Sequence, residues 1–547
     1  MKYLKQFNND TEYNSFKNST EYTEPNVSFV KNTPEVKFNM RDPILSFKAV
    51  EANSTIALVK NGFPNNISLQ YSTNGGTTWN TYTIGNTITL ANIGDNVKFK
   101  GTNSTFSSSM DDYYQFQMTG RIAAFGDVTS LLNSVGGNCS LITSCFINLF
   151  LECESLIAAP ALPAMTLAAY CYQCMFAGCV SLTKAPKLPA TTLAEFCYSA
   201  MFAGCALTKA PKLPAMTLAE YCYDSMFASS ALTKAPELPA TTLAEYCYNN
   251  MFQACILLTV APELPATTLA SCCYERMFDG CTSLTKAPAL PATTLANGCY
   301  SGMFAGCALT KAPKLPVTTL AEYCYAFMFS GCTSLTVAPV LPATTLANGC
   351  YEYMFQGCTS LIEAPELPAT ALANQCYIRM FSDCTSLIVM PVLSAMTLTT
   401  GCYEYMFQGC TSLMSATELP ATTLAQYCYQ YMFKGCTSLT SAPELPATTL
   451  AKYCYMNMFR DCISLTTAPE LPANTLVQGC YLGMFYGCSN LNYIKAMCIT
   501  RPSTDYTDNW VKGVSSTGIF VKNSAAQWNF YGLMGVPSGW TVQTATT

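Results

Sequence analysis

Between residues 145 and 488 a block of 25 or 26 residues recurs fourteen times, and no other feature of the chain narrows its fold as far. Two of the clearest copies read Cys299-Tyr300-Ser301-Gly302-Met303-Phe304-Ala305-Gly306-Cys307 and Cys428-Tyr429-Gln430-Tyr431-Met432-Phe433-Lys434-Gly435-Cys436, each followed by a Leu- and Pro-rich stretch that leads into the next. A fixed period of this length means coils that bury their apolar faces against neighbouring coils, the arrangement of a solenoid. Such a chain offers a long surface rather than an enclosed catalytic pocket.

The repeat also accounts for the composition. Apolar residues make up 50% of the 547 and charged residues 11%, because core positions return in every coil. Apart from Cys139, Cys174, Cys272 and Cys498, the 31 cysteines fall at two phases, before the aromatic of each Cys-Tyr step and at the end of each Gly-Cys step. Cysteines set once per coil at a fixed phase read as core rungs rather than as a disulfide framework, and free thiols are expected. Pro, Thr, Gly and Asn interrupt every stretch that could serve as a membrane helix. The opening residues carry no apolar h-region, so export through the general secretory route is not expected. The net charge of −5 and the lack of any Lys/Arg cluster give nucleic acid nothing to bind.

Along the chain, residues 1–40 are polar and rich in Asn, Thr, Glu and Tyr, and read as an arm or docking segment. Residues 41–128 hold short alternating runs such as Leu45-Ser46-Phe47-Lys48-Ala49, with Asn74-Gly75-Gly76 as a hairpin signal, and predict a β-sandwich. Residues 129–497 are the repeat array. Residues 498–547, with Trp510, Trp528 and Trp540, predict a small β cap.

Within one coil, Thr192-Leu193-Ala194-Glu195 matches a capping box, and Leu193, Cys197 and Met201 recur at i, i+4 and i+8 beside Ala194, Tyr198 and Phe202. This predicts one short helix per coil, with Gly204 as its left-handed stop. Ser181-Leu182-Thr183-Lys184-Ala185-Pro186 predicts an extended segment paired over about three residues, because a proline cannot donate to a ladder. The expected fold is an α/β solenoid of about fourteen coils, which on this reading folds on its own core.

The consensus Leu-x-x-Ala-Pro-x-Leu-Pro-Ala-Thr-Thr-Leu-Ala-x-x-Cys-Tyr-x-x-Met-Phe-x-Gly-Cys-Thr-Ser resembles the BspA-like class of leucine-rich repeats, most clearly over 284–334 and 335–386. That resemblance implies adhesion and binding to a host-surface protein or glycan, at a bacterial cell surface. The opening, Tyr3-Leu4-Lys5-Gln6-Phe7, then Glu12-Tyr13 and Pro25-Asn26-Val27-Ser28-Phe29, is similar to amino-terminal segments of virion proteins from phages of Bacteroidetes, crAss-like phages among them. It implies a virion structural protein (a fibre, decoration or receptor-binding appendage) assembled in the bacterial cytoplasm and joined to other virion proteins through its N-terminal region. The phage reading is preferred here, with the bacterial surface adhesin as the alternative. A homo-oligomer is open under either.

Chemistry has little to work with. No histidine occurs, which removes Ser-His and Cys-His nucleophile pairs and the commonest general base. No phosphate-binding glycine motif is present. No enzyme activity, cofactor or metal site is expected, and burial of the thiols disfavours the thiolate that a metal needs. Function then falls to positions that vary between coils. One set runs from Lys184, Lys187, Lys209 and Lys212 to Glu363 and Glu366, an edge that turns from basic to acidic. A second, Phe327, Tyr353, Tyr405 and Tyr431, shares one phase before Met-Phe and could stack on sugars or anchor a protein. Against these stand a solvated face in the first case and packing between neighbours in the second.

Overall fold

A computed structural model describes residues 43–545 apart from Pro316 and Asn529. The arm read over residues 1–40 therefore lies outside the described residues.

The N-terminal part is mostly β. One sheet takes the order β4-β3-β6-β1-β8-β9, from Asn80–Tyr82, Leu69–Ser72, Asn96–Gly101, Leu45–Ala49, Ile122–Phe125 and Leu156–Ala158. A second has the order β5-β2-β7, from Ile88–Leu90, Ser54–Asn61 and Tyr113–Thr119. Alternation places the inner residues: along β6, Val97 and Phe99 are buried while Lys98 and Lys100 are not. The two sheets meet through aromatics, with Phe47 of β1 4.7 Å from Phe116 of β7 and Phe99 5.5 Å from it. Gly75 and Gly76, at φ 76° and 97°, turn the chain between β3 and β4 as the sequence predicts.

This β part is continuous with the array. β9 belongs to the first coil and pairs in parallel with β8, Ile122 opposite Leu156. Phe116 stacks on Phe150 at 5.4 Å, and its amide donates to the Leu149 carbonyl at 2.8 Å. The array does not stand on its own core at this end; the sheets cover its first coil.

Among the described residues of the fourteen consensus coils, 145–488, there is no α-helix, which overturns the α half of the expected α/β solenoid. In residues 194–205 the amides of Cys197, Ser199, Met201, Ala203 and Cys205 donate three residues back, to Ala194, Phe196, Tyr198, Ala200 and Phe202. The alternate amides, Phe196, Tyr198, Ala200, Phe202 and Gly204, donate instead to the next coil, at Glu220, Cys222, Asp224, Met226 and Ala228. Phe196, Ala200 and Gly204 stand at φ 53°, 51° and 70°, so the chain is a run of linked turns with one left-handed residue in every four. The period is therefore four. An α-helix, at about 3.6 residues per turn, would rotate these positions by about 40° every four residues, yet over three repeats the two patterns select the same residues. The apolar positions themselves are as the sequence indicates, for Cys197, Tyr198, Met201 and Phe202 are all buried.

The extended segments are also shorter than expected. Neighbouring coils are joined there by single parallel bridges, such as Lys311 with Val337 and Glu363 with Val389. Longer parallel strands return at the C-terminus, where β10 (Tyr493–Ala496), β11 (Ile519–Lys522) and β12 (Thr541–Thr544) form a three-stranded sheet. Between β10 and β11 lies a further coil that the consensus hides. The amides of Gly479, Tyr481, Gly483, Phe485 and Gly487 donate to Asp505, Tyr506, Asp508, Trp510 and Lys512, and Trp510 lies against both Tyr481 and Phe485, at 6.4 and 6.0 Å. Its indole N–H reaches the Gly535 carbonyl at 2.9 Å, which lets the largest side chain be fully buried with its polar atom satisfied. No helix among the described residues is long and apolar enough to cross a membrane.

Candidate binding surface

The repeated residues are consumed by the interior. Tyr172, Tyr198, Tyr223 and their successors form one ladder with ring centroids 5.7–6.1 Å apart, from Phe146 to Tyr481. A second ladder of phenylalanines begins with Phe150 and Phe176 at 5.3 Å. The cysteine closing each Gly-Cys step donates its S–H to the carbonyl of the rung phenylalanine one coil back, as Cys332 does to Phe304 and Cys307 to Phe278, both at 3.0 Å. Burial pushes these thiols up, Cys205 and Cys332 to about 12, which suits a packed donor and not a nucleophile or ligand. Among the described residues no group of three or more Cys, Asp and Glu side chains is placed to hold a metal ion.

All 31 cysteines are free, and only Cys139, Cys174 and Cys272 are other than buried. Mass counting of protein alkylated after denaturation without reductant is expected to find 31 labelled thiols; a majority blocked would contradict the packing.

What the interior leaves over falls on two exposed tracks. On the first, Lys184, Lys187, Lys209, Lys212, Glu363 and Glu366 are all exposed. The parallel bridges set the corresponding residues of adjacent coils side by side, Lys311 beside Val337 and Glu363 beside Val389. Apolar pairs flank Glu363 and Glu366 on the same track, Val337 and Val340 before them and Val389 and Val392 after, at 52, 78, 52 and 65% exposure. Charge spacing alone did not bring these valines forward.

The second track holds Phe327, Tyr353, Tyr405 and Tyr431, each half-buried and each with a left-handed backbone, at φ 54–56°. Phe327 stacks on Tyr353 at 4.4 Å and Tyr405 on Tyr431 at 4.5 Å. The gap between the pairs is closed by Arg379, whose guanidinium lies 4.0 Å from the Tyr405 ring and 5.6 Å from Tyr353; Lys434 Nζ is 5.4 Å from Tyr431. The result is one spine across five coils. Arg379 shares the aromatics' phase, so its place could have been read from the repeat had the column been followed by position and not by residue type. Because neighbours occupy the ring faces, the spine offers edges and a guanidinium rather than flat platforms for sugars. An equivalent column, Tyr170, Phe196, Tyr221 and Tyr246 at 4.9, 4.3 and 4.5 Å, stands one turn earlier in the coil.

Beside the spine, Glu352 and Glu404 point towards space left by Gly349 and Gly401. A Cβ on those glycines would lie 3.1 and 3.2 Å from the carboxylate oxygens. Burial raises both carboxyls, Glu404 to about 7, with Arg379 pulling Glu404 the other way. The spine is thus bordered by carboxyl groups that gain from meeting a hydrogen-bond donor.

Comparison with known proteins agrees with the repeat. The BspA type leucine rich repeat region, in six copies, matches residues 273–388, 298–440 and 400–501. The match takes in the spine and Glu363 and Glu366, and begins after Lys184–Lys212. No curated protein and no solved structure matches the chain, and nothing among these comparisons matches its opening residues.

Proposed function

We propose that the chain is a non-enzymatic adhesion protein that engages a protein at a cell surface through the outer face of its repeats. BspA-type repeats point to surface adhesion and protein binding, and the spine is the observation that carries the reading here. Aromatic and arginine side chains clustered on a rigid element are the usual centre of a protein interface, and here a stack of coils fixes them before any partner arrives, so little order is lost on binding. The virion reading rests on the opening residues, which lie outside the described structure and outside the family match. The adhesin reading rests on the repeats, and we adopt it.

Tyr353 and Tyr405 supply the test. Gly302 and Gly483 occupy the same phase at φ 60° and 59°, so glycine is compatible with the backbone there. Tyr353→Gly with Tyr405→Gly forfeits stacking of about 0.5–1.5 kcal/mol per pair but relieves a left-handed tyrosine that costs about 1–2 kcal/mol. Stability should stay nearly level. Beads carrying the full chain, washed over host-surface glycoproteins, are expected to bind about 10-fold less well with this variant. Protease treatment of the glycoproteins should abolish wild-type binding, and removal of their glycans should not. Unchanged binding by the variant would remove the spine from the interface, and sensitivity to deglycosylation alone would favour a glycan ligand.

A further inference from the structure

The first exposed track has a property that binding at the spine does not use: it is complementary to itself. Its residues come in pairs, one pair per coil, three apart in sequence. Starting from Val337 and Val340, the preceding coil presents Lys311 and Lys314 and the following coil Glu363 and Glu366, all exposed. Among the described residues none of these four charges has an ion-pair partner in its own chain. Val340 is 78% exposed, and the apolar stretch resumes at Val389 and Val392 beyond the acidic pair. Charged residues without partners on both sides of bare valines form a pattern that water alone does not need.

We propose that a second copy of this chain docks antiparallel along this track, with a two-fold axis at Val337 and Val340. Rotation about that axis carries the coil before the axis onto the coil after it. Lys311 and Lys314 of one copy then face Glu363 and Glu366 of the other, and the same four contacts recur in reverse, as an isologous interface requires. The valines at the axis meet one another and lose their water. One coil farther out, Lys286 faces Val389 and Val392. Three coils beyond that match, outside the seven central coils, Lys209 and Lys212 come opposite the coil of Glu470, whose carboxylate is already held by Lys495 at 2.9 Å. Two pairs of coils bring like charges together: Glu263 comes opposite Glu418 and, one coil farther out, Glu237 comes opposite Glu444 with Lys234 beside it; all are exposed, at the rim where like charges are screened. Seven coils spaced at about 4.8 Å give a contact roughly 30 Å long. A parallel arrangement would set Lys on Lys and Glu on Glu.

The interface predicts a charge swap that no other partner would reproduce. Sedimentation velocity of the full chain at micromolar concentration and low salt is expected to show a dimer that weakens as salt rises. Lys311→Glu with Lys314→Glu makes carboxylates face carboxylates on both sides of the axis, and Glu363→Lys with Glu366→Lys makes amines face amines there. Each variant alone should be monomeric, and an equimolar mixture should recover the dimer as a one-to-one heterodimer. All four positions are exposed, and circular dichroism will report whether each variant keeps its fold. A monomeric wild-type chain, variants that remain dimeric, or folded variants that do not recombine would each overturn the proposal. Binding at the spine is read separately, and both charge variants should retain it, so this proposal and the adhesion reading can fail independently.

Discussion

Raising the pH above about 9 should unfold the repeat region within a narrow interval. The sign follows from burial. Desolvation raises the folded-state pKa of the core thiols, to about 12 at Cys197, Cys299 and Cys332, whereas an unfolded cysteine titrates near about 8.5. A pKa raised by folding contributes stability that is fully present below the unfolded value and is lost as pH climbs through the folded one. Between those limits the unfolded chain releases protons that the folded chain keeps, and each such thiol removes about 1.4 kcal/mol of stability per pH unit. Ten thiols acting together remove on the order of 14 kcal/mol per unit, as much as the whole net stability of an ordinary domain. The buried tyrosines of the ladder, such as Tyr198 and Tyr223, are raised by the same cause and add to the effect. Tryptophan fluorescence and tyrosinate absorbance followed against pH should change together, with the ladder tyrosines ionising only as the coils open. A chain that keeps its native spectra to pH about 12 would show that the thiols are better solvated than their burial implies.

Phe304→Ala is the substitution with the largest expected effect on stability. Phe304 is fully buried, 5.7 Å from Phe278 and 5.9 Å from Phe329. Its amide donates to Met328 and its carbonyl accepts from both the Cys307 amide and the Cys332 thiol. Truncation removes two stacking contacts and leaves a cavity, at about 3–5 kcal/mol. A stack of coils is held together by nearest-neighbour terms, so the loss should be concentrated in the two flanking coils. Hydrogen exchange should accelerate over residues 278–329 and hold elsewhere; unchanged exchange there would mean that this rung carries no load.

The sequence displays the period, the identity of the buried residues and the β character of the first part, because each of these is set by hydrophobic spacing. It conceals the backbone. Leu193, Cys197 and Met201 satisfy a helix and a four-residue turn chain equally well over so short a run, and the marker that separates the two is a left-handed residue every fourth position. Glycine or asparagine there would have announced it, as Gly204 does, but Phe196, Tyr353 and Tyr405 hold the same conformation behind bulky side chains. Trp510 looks like part of a cap in the sequence because its coil keeps neither the Cys-Tyr nor the Met-Phe step; the hydrogen bonds from Tyr481 and Phe485 show it to be a rung. Arg379 is hidden for a simpler reason, since a column defined by aromatic residues does not include the cation that joins its halves.

The hydrogen bonds between the linked turns all run one way. In every pair of neighbouring coils on this face the amide belongs to the earlier coil and the carbonyl to the later one, as from Phe202 to Met226 and from Phe485 to Trp510. Peptide dipoles aligned in series add, so the face carries a polarity along the stack, and its two ends present opposite groups. The first coil offers carbonyls, and the N-terminal sheets answer with the amides of Ser107, Phe116 and Ile122; the last consensus coil, Gly479 to Gly487, offers amides, and the divergent coil that closes the stack answers with carbonyls from Asp505 to Lys512. The two covers could not be exchanged. Coils can be inserted or deleted between them without altering what either end must supply, so the length of the array is free to vary while its direction is not.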